Sequence, residues 1–163
     1  MRIRSGSRGV QRWRVPVLAV ALAAAVNVAP ATARSRHAVS LVLRDAIVQR
    51  KTDADGAVIT TAGAFRGRPF GAGAIVQRVR PTPMPGGGET TRSTFTIFTK
   101  RGSLSGTGRS TRTPQPDGTV SVTASRTIIG GTGAYNGASG RLRLRGRSAG
   151  SSTTVRWRGY AVY

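Results

Sequence analysis

From Arg34 to the last residue, apolar and polar side chains alternate in short runs, and no stretch sustains a helical period. Eight runs carry the alternation: Val39–Gln49, Val58–Arg66, Gly71–Arg80, Thr91–Lys100, Ser103–Arg112, Thr119–Ile128, Arg141–Gly146 and Thr153–Tyr163. Turn-forming clusters separate them, among them "TDADG", "RPTPMPGGGE" and "PQPDG". This spacing predicts an all-β domain of short strands, a sandwich or a barrel. The sixth run shows the two faces most clearly. Val120, Val122, Ala124, Arg126 and Ile128 share one side; Thr119, Ser121, Thr123, Ser125 and Thr127 share the other. Gly102, just before the fifth run, lies on a common face with Leu104, Gly106 and Gly108 of that run, and Gly71 and Gly73 alternate in the third. Glycines at alternate positions permit sharp coiling and leave room beneath a sheet. A sandwich can use both properties, but a sheet that closes on itself requires them. The expected fold is therefore an eight-stranded antiparallel β-barrel.

The segment "RTIIGGTGAYNGASGRLRLRG", Arg126 to Gly146, contains Gly131-Thr132-Gly133 followed by Gly137. That spacing is close to a dinucleotide-binding fingerprint. The fingerprint functions only where a helix follows, because the helix N-terminus holds the pyrophosphate. Here "GRLRLRGR" follows with strict period two, so a nucleotide site is not expected and the glycines are read as a turn. The stretch resembles the signature loop of the allene oxide cyclase/dirigent barrel superfamily. The resemblance is carried by Ile129, Gly130, Gly131, Thr132, Gly133, Tyr135, Gly137, Ala138 and Gly140, and upstream by "FTIFTKRGSLSGTG". It spans roughly Phe95 to Gly146; before Phe95 it rests on strand number alone.

The resemblance implies an eight-stranded barrel with an apolar cavity. It also implies a small hydrophobic or phenolic ligand, and cyclase or radical-orienting (dirigent-like) activity. Tyr135 is expected over one barrel end as an apolar plug. "LVLRDAIV" resembles the dirigent segment whose aspartate lines the pocket, although Arg44 stands where a His-like neighbour is usual. The catalytic carboxylate and amide of the fatty-acid cyclases match no position, so no catalytic residue is assigned.

Two charged residues interrupt apolar faces. Asp45 shares its parity with Leu41, Leu43 and Ile47, and Arg126 shares its own with Val122, Ala124 and Ile128. A buried charge must be paired or shift its pKa. Either the two lie at a barrel mouth near strand ends, or they face each other or a ligand across the interior. Asp45, Arg126 and Tyr135 are the candidate ligand-binding residues.

Charge adds a second possibility. The chain carries 26 Lys+Arg against 5 Asp+Glu, a net +21. Its only lysines are Lys51 and Lys100, an arginine bias that GC-rich coding explains as readily as guanidinium chemistry. Arg141, Arg143, Arg145 and Arg147 form a comb opposite Leu142, Leu144 and Gly146; Arg156 and Arg158 share a face of the last run. If these two strands pair, six guanidiniums crowd one outer patch. The patch is either a solvated basic surface or a docking site for an anionic envelope polymer. Only Tyr160 is placed to interleave with it, so sequence-specific nucleic-acid recognition is not expected.

Residues 1–33 read as a secretory signal peptide. Five arginines precede the apolar stretch Val15–Ala29, and Ala31-Thr32-Ala33 forms a small-residue cleavage site. A secreted or cell-envelope location follows, with 34–163 as one barrel domain carrying 21 basic residues and a net +16. An uncleaved membrane anchor is the other reading of the segment. There is no cysteine, and His37 is the lone histidine, so thiol chemistry and Cys/His zinc sites are excluded, and no metal or cofactor is expected. Two function classes remain: a ligand-binding barrel, enzymatic or not, and a non-enzymatic basic surface protein. Self-association is left open.

Overall fold

The period-two alternation is realised as a single closed meander of strands. The computed structural model describes residues 34–163; the segment read as a signal peptide lies outside the described residues. The strands are β1 (Arg36–Asp53), β2 (Gly56–Arg68), β3 (Gly71–Pro83), β4 (Glu89–Thr99), β5 (Gly102–Pro114), β6 (Val120–Gly131), β7 (Ser139–Ala149) and β8 (Ser152–Val162). Each pairs antiparallel with the next, and β8 returns to pair with β1 along Arg36↔Val162 to Ala46↔Ser152. The sheet has no open edge, so every strand is hydrogen-bonded on both sides. A single 3₁₀ turn, Gly133–Tyr135, is the only helical element among the described residues.

Seven of the strands run longer than the corresponding sequence runs, and β8 matches its run in length; the strands span 11 residues in β4, β7 and β8 to 18 in β1. Hairpin pairing carries the ladders into the Gly- and Pro-containing turns, where side-chain alternation has already faded. One consequence is that Asp45 and Arg126 occupy mid-strand positions, not strand ends.

Inward-facing residues fill the barrel. Leu41, Leu43, Phe65, Ile75, Phe95, Ile97, Leu104, Ile128, Leu142 and Trp157 form one buried cluster. The interior glycines supply the room anticipated for them. Phe65 stands opposite Gly73 and Phe95 opposite Gly106, and a Cβ at either glycine would overlap the facing ring. The end carrying the β2–β3, β4–β5 and β6–β7 turns is closed by aromatics. Tyr135 packs edge-on against Phe70 (centroids 5.5 Å apart) and Tyr163 (4.9 Å), while His37 stacks on Tyr163 at 4.3 Å. Tyr135 is 1% exposed, as a plug should be.

The glycine loop forms the corner beneath this plug. Thr132 N–H donates to the Ser103 carbonyl and Ala134 N–H to that of Arg101, tying the loop to the β4–β5 turn. Gly133 and Gly137 hold φ of +59° and +68°, left-handed values that a side chain disfavours. At Gly133 an added Cβ would also approach the Arg101 carbonyl oxygen to 2.5 Å. We expect Gly133→Val to lower stability by about 1–3 kcal/mol, the range for a strained backbone site. Chemical denaturation checks this; an unchanged midpoint would remove the corner assignment.

Candidate functional site

Below the aromatic layers the barrel interior turns polar. Asp45 on β1 is 7% exposed and Arg126 on β6 is 6% exposed. They face the same interior but do not touch. Gln77 of β3 stands between them: its Nε2 donates to Asp45 Oδ2 at 2.7 Å, and its Oε1 accepts from Arg126 Nη2 at 3.3 Å. Thr61 of β2 donates its hydroxyl to the same Asp45 oxygen at 2.8 Å. Opposite charges are thus joined through an amide oriented by both of them.

The Arg126 guanidinium reaches this position because Gly108 lies directly opposite it on β5. A Cβ at Gly108 would overlap Arg126 Cδ and Nη1. Burial lowers the Arg126 pKa to about 10, and the charge of Asp45 opposes the shift. The side chain stays protonated at neutral pH. Its Nε and Nη1 have no hydrogen-bond partner among the described residues, and neither has Ser93 Oγ, so donors of the guanidinium remain unsatisfied.

A cavity of about 490 Å³ opens at the end opposite the plug. Inward-facing Ile47, Ile59, Val79 and Val120 give it apolar walls, and Thr61 gives it a hydroxyl. At its rim Arg112 pairs with Glu89 at 3.1 Å and donates to Ser148 Oγ at 3.1 Å. Thr61 therefore belongs both to the cavity wall and to the Asp45 cluster; the carboxylate stands one side chain behind the wall. Tyr135 lies at the closed end and is not brought to this cavity.

Gln77, Thr61 and Ser93 were missed in the sequence. Gln77 carries the signal that singled out Asp45, a polar residue on an apolar face between Ile75 and Val79. Thr61 and Ser93 resemble the many hydroxyl residues of this chain and carry no distinguishing signal. No group of three or more His, Cys, Asp or Glu among the described residues is arranged to hold a metal ion.

The outer comb is assembled as the pairing of the last two strands requires. β7 and β8 set Arg143 opposite Arg158 and Arg145 opposite Arg156, and all six arginines are exposed. Arg147 meets Asp117 at 3.3 Å; the other five have no carboxylate within 4.0 Å among the described residues. Arg141 stands opposite Tyr160, whose ring lies under the Arg36 guanidinium at 3.9 Å.

No protein-family model matches this chain, and no curated protein matches it. The class defined by geometry is that of a closed, eight-stranded antiparallel β-barrel, filled at one end and hollow at the other, with a buried charged cluster behind the hollow.

Proposed function

We propose that this protein binds a small phenolic molecule in the barrel cavity. The observation that carries the reading is the double role of Thr61. Its proton is committed to Asp45, so towards the cavity its oxygen is an acceptor. A phenolic O–H donates to that oxygen and extends the chain to the carboxylate, while the ring lies against Ile47, Ile59, Val79 and Val120. Gln77, itself held by Arg126, orients the Asp45 carboxyl from the other side. The resemblance of the glycine loop to allene oxide cyclase/dirigent-like barrels supports the same reading. It extends the role to holding a reactive ligand in one pose, for cyclisation or for coupling of phenoxy radicals. With the expected signal peptide, the protein acts outside the cell or in its envelope.

Two measurements test this. Native mass spectrometry of the protein isolated from its own secretion should show a retained mass. Thermal melts with 4-alkylphenols should show stabilisation of about 2.7 kcal/mol at one hundred times Kd, by mass action. Alkylbenzenes of equal size should stabilise less. The near-isosteric Thr61→Val variant should lose the preference for the phenol while still responding to the alkylbenzene. If phenol and alkylbenzene are indistinguishable in the parent protein, the hydroxyl–carboxylate relay has no binding role.

A further inference from the structure

The strand register produces a second arginine array that does not follow the comb. Arg80 on β3 stands opposite Arg92 on β4, and Arg92 opposite Arg109 on β5. The same row continues through Ser125 on β6 to Arg143 on β7. Adjacent strands are ~4.8 Å apart, so outward guanidiniums follow one another across the sheet, perpendicular to the strands. Like charges directly opposite on neighbouring strands are destabilising. Only Arg80 of this row has acidic partners, Asp53 at 2.6 Å and Asp55 at 3.8 Å. Arg92, Arg109 and Arg143 have no carboxylate within 4.0 Å among the described residues.

The row lies in a depression of the outer surface. Two adjoining hollows, of about 620 and 1010 Å³, meet at Arg80, Arg92, Arg109 and Ser125. Two residues along each strand, on the same outward face, runs a parallel row of hydroxyls, Thr94, Thr107 and Thr127, paired in that order across β4, β5 and β6. All three line the first hollow. The groove thus offers a rail of guanidiniums beside a rail of hydroxyls. Among the described residues no aromatic lines either hollow.

We infer that this groove binds an acidic polysaccharide lying across β3 to β7. Guanidiniums recognise carboxylates in bidentate fashion, and the threonine hydroxyls match the sugar hydroxyls between them. An anion over each unpaired arginine offsets the repulsion along the row. The missing aromatics argue against single-stranded nucleic acid, whose bases need stacking platforms. The site is on the outside of the barrel and independent of the cavity, so either reading can fail without the other.

The test uses polygalacturonate as probe, with dextran as a neutral polymer and oligo(dT) as a nucleic acid, across a salt series. Arg92→Ser/Arg109→Ser is compared with Arg66→Ser/Arg68→Ser, which removes the same charge from β2 on another side of the barrel. Circular dichroism melts establish that both variants fold. The expected result is binding of polygalacturonate and not dextran, weakened on the order of tenfold with a shallower salt dependence in the groove variant only. Equal weakening in both variants would reduce the attraction to net charge and overturn the proposal. Tighter binding of oligo(dT) than of polygalacturonate would overturn the choice of occupant.

Discussion

Trp157→Ala should lower the unfolding free energy by about 3–5 kcal/mol, the cost of deleting a large aromatic from a packed core. Trp157 heads the fully buried side chains by volume and is 1% exposed. It projects inward from β8, with Leu41 of β1 opposite on one side and Leu144 of β7 on the other. Its ring meets Phe95 from β4 edge-on, centroids 5.4 Å apart, and Phe95 in turn stands opposite Gly106. The tryptophan therefore joins opposite walls of the barrel. A closed wall collapses poorly into the space left behind, because moving one strand inward strains hydrogen bonds on both of its sides. The indole Nε1 has no partner among the described residues, and losing it recovers a little of the cost, which places the expectation towards the lower end of the range. Urea denaturation should show a lower midpoint with an unchanged slope. A loss below about 1 kcal/mol, the usual effect of a surface change, would mean that this half of the barrel is not packed as described.

Side-chain parity was the most legible feature of the fold. Period two is local, so the alternation of Val122, Ala124, Arg126 and Ile128 could be assigned to one face without knowing the partners of β6. The same reasoning put Asp45 on the inner face of β1. Strand number followed from turn chemistry, since every turn but the two-residue Lys100–Arg101 contains Gly, Pro, Asp or Ser, and that one is followed directly by Gly102. Partners across the barrel were not legible. Gln77 is 32 residues from Asp45 and 49 from Arg126. Only closure and shear of the sheet bring the three together. The register irregularity between Ile47 and Gln49 was also hidden: the extra residue, Val48, is simply one more apolar position in the sequence. The arginine comb was visible because it runs along one strand. The row Arg80–Arg92–Arg109 crosses three strands and exists only once the register is known.

The charged interior provides the other large effect. Asp45→Ala should destabilise the protein by on the order of 3 kcal/mol, because it leaves the buried Arg126 without its compensating carboxylate. Gln77 alone cannot balance a full positive charge. Arg126→Met should cost less than the sum would suggest when combined with Asp45→Ala, since the double variant buries neither charge. The coupling energy in that cycle should fall in the range of about 0.5–3 kcal/mol expected of residues sharing one network. Adding Gln77→Leu to both single variants should reduce the coupling, because the amide transmits part of the orientation between them. Strict additivity would make Asp45 and Arg126 independent. The pH dependence gives a second readout with a definite sign. The folded-state pKa of Arg126 is lowered to about 10 by burial, below its ordinary value. Above about pH 10 the unfolded chain therefore holds this proton more tightly than the folded one. Stability contributed by this site rises with pH through that window, and at neutral pH the full burial cost is present. Tyr163 acts in the opposite direction. Burial raises its pKa, so the unfolded chain loses that proton first and stability falls over the alkaline range. Comparing the parent with Arg126→Met cancels the Tyr163 contribution, and the stability of the parent relative to the variant should rise as pH climbs past 10. A gap that stays constant with pH would mean that Arg126 is solvated in the folded protein.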